Sequence, residues 1–100
     1  MEKTVNENQA KKDETQEIPL PEVTFATFIL SLNTSALMHL GEIPGPDNQK
    51  QECDLQLARH AIDTIAMLKE KTQGNLSEDE QALMDNILFD LRMRFVKKST

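Results

Sequence analysis

Few residues of this 100-residue chain have the types and the spacing that catalysis or metal binding needs. His39 and Glu42 lie three residues apart, and a histidine beside a carboxylate can act as a general base or as part of a metal site. His60 and Asp63 have the same spacing, which places both on one face of a helix. Nothing else in the chain completes either set of ligands, so the simpler interpretation of both pairs is structural.

Cys53 is the single cysteine, and it stands just before a predicted helix, where the helix dipole would stabilise a thiolate. No base or resolving thiol can be assigned to it, and a lone cysteine forms no intrachain disulfide. The first residues lack the cationic and apolar leader of a secretory signal. Together with the one free thiol, this predicts that the protein lies in the cytoplasm.

Because no set of catalytic or metal-binding residues is complete, we expect no enzymatic activity, no metal and no cofactor.

The net charge of -6 and the pI near 4.8 repel the phosphate backbone of nucleic acids. Four phenylalanines without tyrosine or tryptophan also make a poor platform for stacking bases. The basic segment at 92–98 could bind RNA or a membrane, but acidic residues earlier in the same predicted helix balance its charge. The simpler interpretation is that bases at the end of the helix interact favourably with the helix dipole. The charge and the aromatic content therefore predict that nucleic acid is not a partner.

The longest organised feature is a run of nineteen residues, 23–41, without a formally charged side chain. A membrane span is disfavoured because Glu22 and Glu42 flank the run and several polar residues lie within it. An ordinary core helix would show a charged face. We favour an oligomer interface, because the arc not covered by apolar residues carries small hydroxyl side chains that let two helices approach closely.

Asn33 and His39 fall inside the apolar arc of that run, where an unpaired polar group costs about 1–3 kcal/mol. We expect Asn33 to pair across a helix contact and fix its register, and His39 to bond the loop that follows. The alternative is a small ligand-binding or metal-binding pocket around His39, Glu42 and the 41–47 loop, with Arg92 as a further candidate.

The periodicity of apolar residues predicts an all-α protomer of three helices, at about 23–40, 54–73 and 77–97. Gly41 stands where a left-handed C-terminal cap would lie, and Asp54 can cap the second helix. Ser77 and Glu80 fit a capping box at the start of the third.

The third helix has two apolar stripes. The inner stripe is sufficient to face the other helices of its own chain and consists of Leu83, Met84, Ile87, Leu88, Leu91 and Phe95. The outer stripe would be exposed in a monomer and consists of Ala82, Phe89, Met93 and Val96. We therefore predict a helical-bundle homodimer or higher oligomer, with an unidentified protein as a further partner and no membrane association. The proposed interface consists of Phe25, Phe28, Ser31, Leu32, Asn33, Ser35, Phe89, Met93 and Val96.

Around the helices, residues 1–17 are predicted to be a disordered polar tail, since they contain almost no large apolar side chain. Residues 18–22 form an extended strap containing two prolines, and its Ile18 and Leu20 are expected to dock on the core. Residues 23–98 form the single helical domain.

Taken together, these segments resemble a family of short bacterial proteins that is described only as a domain of unknown function. The resemblance covers most of 23–96 and is carried by the segments FATFILSL at 25–32, ALMHLGEIP at 36–44, AIDTI at 61–65, KTQGNL at 71–76 and LFDLRMRFV at 88–96. It implies an all-helical cytoplasmic bacterial protein with a variable polar N-terminus, and it implies no activity, ligand or catalytic residue.

Overall fold

The computed structural model describes residues 19–49 and 52–100, so the predicted tail at 1–17 lies outside the described residues. The described part is all-α, as predicted. Its elements are α1 (Phe25–His39), a short 3-10 turn (Pro46–Asn48), α2 (Leu55–Lys71) and α3 (Glu78–Ser99). Each predicted helix is present, and its ends agree with the prediction to within two residues.

A capping box made of two threonines sets the beginning of α1. The Thr24 hydroxyl accepts a hydrogen bond from the Thr27 backbone N–H at 3.0 Å, and the Thr27 hydroxyl accepts one from the Thr24 N–H at 3.1 Å. The Thr27 hydroxyl also donates to the Glu22 carbonyl at 2.7 Å. Two of the orphan donors of the first turn are thereby satisfied without a charged residue.

The end of α1 is a Schellman motif around Gly41, whose φ of 76° lies in the left-handed region that favours glycine. The Gly41 N–H donates to the Met38 carbonyl and the Glu42 N–H to the Leu37 carbonyl, both at 2.9 Å. The predicted cap is confirmed, and the chain leaves the helix in a direction that the glycine fixes.

The starts of α2 and α3 are capped as predicted. Asp54 accepts from the Leu57 N–H at 3.1 Å, while its own N–H donates to the His39 carbonyl at 2.7 Å and so ties the start of α2 to the end of α1. At α3 the Ser77 hydroxyl accepts from the Glu80 N–H at 3.1 Å, and the Glu80 carboxylate accepts from the Ser77 N–H at 2.9 Å.

The core lies where the three helices meet, since α1 packs on both α2 and α3. Each helix contributes buried apolar side chains, and two of them are alanines, which let neighbouring backbones approach closely. The buried apolar side chains of the described residues are Ile29, Ala36, Leu40, Ala58, Ile62, Ile65, Met84, Ile87, Leu88 and Leu91.

The strap does not dock as expected. Leu20 is 83 % exposed and Val23 is 99 % exposed, while Ile18 lies outside the described residues. The hydrogen bond from Thr27 to the Glu22 carbonyl fixes the point at which the chain enters α1, and Leu20 and Val23 near this point are exposed to solvent.

Because the Ser77 hydroxyl closes the capping box of α3, we expect Ser77→Ala to lower the free energy of unfolding by about 1 kcal/mol. Urea denaturation followed by circular dichroism measures this. Ser77→Asp is the matched control, since its carboxylate accepts the same hydrogen bond and retains most of the stability. Equal stability of the alanine variant and the parent would contradict a role for the cap.

Candidate functional site

The outer stripe of α3 is the largest exposed apolar feature of that helix. The exposed fractions are 70 % for Phe89, 57 % for Met93 and 58 % for Val96, and Ala82 is exposed as well. On the inner stripe of the same helix, Met84, Ile87, Leu88 and Leu91 are buried in the core, and Leu83 and Phe95 are half-buried against it. The predicted division of α3 into an inner and an outer face is therefore confirmed for the protomer.

A groove runs along each side of the outer stripe. The first lies toward α2 and is lined by Lys69, Asp85, Leu88 and Arg92 together with the stripe residues Phe89, Met93 and Val96. The second lies toward the loop after α1 and is lined by Glu42, Asp90, Arg94 and Lys97 together with Met93 and Val96. The stripe is thus an apolar ridge with a charged groove on each flank.

On the flank toward α2, Lys69 Nζ lies 2.8 Å from Asp85 Oδ1, and Gln81 Nε2 donates to the same oxygen at 3.2 Å. The hydrogen bond from Lys69 is the main reason that the pKa of Asp85 lies below its ordinary value, and partial desolvation opposes it. Both side chains remain nearly half exposed, so the pair is screened by water and adds little to stability.

On the other flank, Arg94 joins two acidic residues. Its Nε donates to Asp90 Oδ2 at 2.8 Å and its Nη1 donates to Glu42 Oε1 at 3.0 Å, while Lys98 Nζ lies 3.5 Å from Glu42 Oε2. The hydrogen bond to Asp90 is the main cause that raises the pKa of Arg94. Glu42 therefore ties the loop after α1 to the last turns of α3.

The residues proposed on α1 divide between two environments. Phe25 and Leu32 are half-buried and pack against the core of their own chain, whereas Phe28 is 49 % exposed. Leu30, which the sequence analysis did not select, is 45 % exposed. Only part of the apolar arc of α1 is thus available to a partner.

Two exposed hydroxyl side chains of α1 donate to its own backbone. Ser31 Oγ donates to the Phe28 carbonyl at 2.6 Å and Thr34 Oγ1 donates to the Leu30 carbonyl at 3.1 Å, while Ser35 is half-buried. The donors of Ser31 and Thr34 are satisfied without water, so contact with an apolar surface would not leave them unpaired.

Two buried polar atoms have no hydrogen-bond partner among the described residues: Asn33 Oδ1 and His39 Nδ1. The described part of the protomer thus contains no partner of the kind predicted for Asn33. The described residues also contain no hydrogen bond between His39 Nδ1 and the loop that follows. The end of that loop is held to His39 by a different bond, in which the Asp54 N–H donates to the His39 carbonyl. An unpaired buried atom of this kind costs about 1–3 kcal/mol.

The three residues of the alternative pocket are not brought together in the described grooves. Glu42 lines the groove toward the loop, where Arg94 and Lys98 bind its carboxylate, and Arg92 lines grooves between α2 and α3. His60, Asp63 and Cys53 are exposed. Within residues 19–49 and 52–100, no three His, Cys, Asp or Glu side chains converge as a metal site would require.

The Glu42 ion pairs were missed by the sequence analysis, which treated this residue only as a flank of the uncharged run and as a pocket candidate. Glu42 and Arg94 are 52 residues apart, and no local pattern relates them. The only signal is that Arg94 and Lys98 are four residues apart and so share a face of α3.

None of the helices in the described ranges has the combined length and hydropathy that crossing a bilayer requires. A family described as a domain of unknown function (DUF1844) matches residues 22–97, from three residues before α1 to the last turn of α3. The predicted resemblance to such a family is confirmed. The chain matches no curated protein and no solved structure.

The lowered pKa of Asp85 predicts a small pH effect on stability. Because the folded state holds the ionised carboxylate more strongly, this contribution is present above the ordinary pKa of 3.8 and is lost as the pH falls through the lower folded-state pKa. Asp85→Asn removes it, so we expect the free energy of unfolding to fall less steeply with acid in this variant than in the parent. Lys69→Met should flatten the profile in the same way. Parallel acid profiles for the parent and both variants would contradict the assignment.

Proposed function

We propose that this chain, which belongs to the DUF1844 family, acts as a non-enzymatic interaction module that assembles with copies of itself. The observation that carries the proposal is the exposed outer stripe of α3, with Phe89 as its most exposed large side chain. The family is described only as a domain of unknown function, so its assignment brings no reaction with it.

The driving force is the apolar surface that a lone protomer leaves in water. Full burial of a Val, Met or Phe side chain stabilises an assembly by about 1.5–3 kcal/mol each, and the three large members of the outer stripe lie within two turns of one helix. A chain with a small core and no disulfide gains stability from such burial.

The exposed face of α1 supports the same proposal as a second contact surface. It combines Phe28 and Leu30 with hydroxyls that already donate to the helix backbone, and it carries no formal charge. A partner could therefore cover it without removing water from an ion.

The wider proposal places the protein in the cytoplasm, with itself as the main partner, a further protein as an unidentified one, and neither nucleic acid nor membrane. The net charge of -6 supports the exclusion of nucleic acid, because association with phosphates would have to overcome like-charge repulsion. Small-ligand or metal binding near His39 and the 41–47 loop stays the alternative, but a ligand at Glu42 would have to compete with Arg94 and Lys98.

Phe89→Asp is the direct test. The substitution removes one large side chain from the stripe and adds a charge, so we expect self-association at micromolar concentration to weaken by at least about tenfold, which corresponds to about 1.4 kcal/mol. Sedimentation velocity over a concentration series measures it, and the helical content should not change because Phe89 lies outside the core.

Met67→Asp is the matched control, because Met67 is an exposed apolar residue on α2 outside the outer stripe. It introduces the same charge and should leave association unchanged. A parent protein that sediments as a compact monomer at all these concentrations would refute the proposal, and equal effects of the two variants would exclude the outer stripe as the interface.

A further inference from the structure

The outer stripe of α3 has the spacing of a coiled-coil seam. Apolar or small uncharged residues recur at alternating steps of four and three along it, which is the pattern of two helices that pack along a shared line. The seam consists of Ala82, Asn86, Phe89, Met93, Val96 and Thr100, all of which are exposed in the protomer.

Charged residues border this seam on both sides. Asp85 and Arg92 share the groove toward α2, and Asp90 and Lys97 share the groove toward the loop after α1. Among the residues of α3 that border the seam, each flank thus carries an acid in its N-terminal part and a base in its C-terminal part. Within the protomer Asp85 also pairs with Lys69, and Asp90 with Arg94. The same order holds for α3 as a whole, where Glu78, Asp79, Glu80, Asp85 and Asp90 precede Arg92, Arg94, Lys97 and Lys98.

This charge order disfavours a parallel pair. In a parallel coiled coil, a residue on one flank faces the opposite flank of the second helix about five residues further along the chain. Asp85 would then face Asp90 of the second copy, and Arg92 would face Lys97. Both contacts bring like charges together, and the two-fold symmetry of a homodimer repeats each of them.

An antiparallel pair reverses the relation. Corresponding flanks then meet, so Asp90 faces Lys97 of the second copy, and symmetry repeats this contact at the other end. In the register that makes it, Phe89 packs on Met93 of the second copy. On the flank toward α2, Arg92 and Asp85 of the second copy have opposite charges and are offset along the helix axis by less than about two helical turns.

We infer that α3 pairs antiparallel with α3 of a second copy, outer stripe against outer stripe, with Phe89 on Met93 and Asp90 facing Lys97. This inference rests on the proposed self-association. It adds which surface forms the interface, that the two helices run antiparallel, and which residues face each other. A second copy is the occupant that the charges favour, because the acid-before-base order on each flank is complementary to itself when reversed.

Cysteine cross-linking tests the direction. In a Cys53→Ser background, Ala82→Cys and Thr100→Cys are prepared separately and then mixed to allow exchange of protomers. In the antiparallel register position 82 faces position 100 of the second copy across one interhelical distance, about 8–10 Å, whereas two positions 82 lie about 27 Å apart along the helix. A short bismaleimide should therefore cross-link the mixture and leave each variant alone uncross-linked, with mass spectrometry identifying the 82–100 product.

The contrary outcomes separate this inference from the proposed function. Cross-links at 82–82 or 100–100 in the single variants would replace the antiparallel pair by a parallel one and leave self-association intact. A dimer by sedimentation that cross-links in none of the three samples would place the interface away from α3. A monomer by sedimentation would overturn both proposals.

A charge exchange tests the register. Lys97→Glu places an acid opposite Asp90, and we expect the dimer dissociation constant to rise by up to about fivefold for each of the two symmetric contacts. Adding Asp90→Lys on the same chain restores opposite charges across the dimer and should recover part of the affinity, although it also removes the Asp90–Arg94 pair. Lys71→Glu at the end of α2 is the control, because it changes the net charge equally. An unchanged dissociation constant in Lys97→Glu, or no recovery in the double variant, would overturn the register.

Discussion

The packing of an uncharged helix onto two charged ones is the constraint from which the rest of the structure follows. α1 presents Ile29, Ala36 and the adjoining Leu40 to the core, and it covers both α2 and α3 with that one face. A chain of this size buries only about 60–65 % of its unfolded surface, so the other faces of its helices cannot all be enclosed. The exposed parts of α1 and α3 are the consequence of that geometry.

The two exposed faces meet this constraint differently. α1 keeps its outward surface compatible with water by means of hydroxyls, which occupy their donors on the backbone carbonyls of the same helix. α3 keeps large apolar side chains outward and surrounds them with ion pairs at Asp85 and Arg94. The first surface is neutral and nearly featureless electrostatically, whereas the second has a charge order along it, and only the second can therefore specify the direction of a partner.

Local sequence was sufficient to predict where each helix begins and ends, but not which of its faces packs against the rest of the chain. The caps at Gly41, Asp54 and Ser77 were predictable because each depends on a few neighbouring residues. The helical wheel of α1 defined an apolar arc but not which part of it faces its own chain, so Phe25 was assigned to a partner although it packs on the core.

Long-range contacts escaped prediction for a related reason. The pairing of Glu42 with Arg94 depends on the path of the whole chain, and neither residue has a neighbour in sequence that indicates it. Leu20 was expected on the core because it is apolar, yet its position relative to the core depends on where α1 begins. In both cases the missing information was the relative placement of elements, which periodicity does not contain.

The ion pairs of Glu42 also shape the charge at the end of α3. Glu42 pairs with Arg94 and Lys98, two of the four cations there, and its single negative charge offsets one of their two positive charges, while Asp90 is a second partner of Arg94. Neither Lys97 nor Arg92 has an ion-pair partner among the described residues, and each lines a groove beside Val96. A residue in the loop after α1 thereby leaves the positive charge at this end of α3 concentrated on those two side chains.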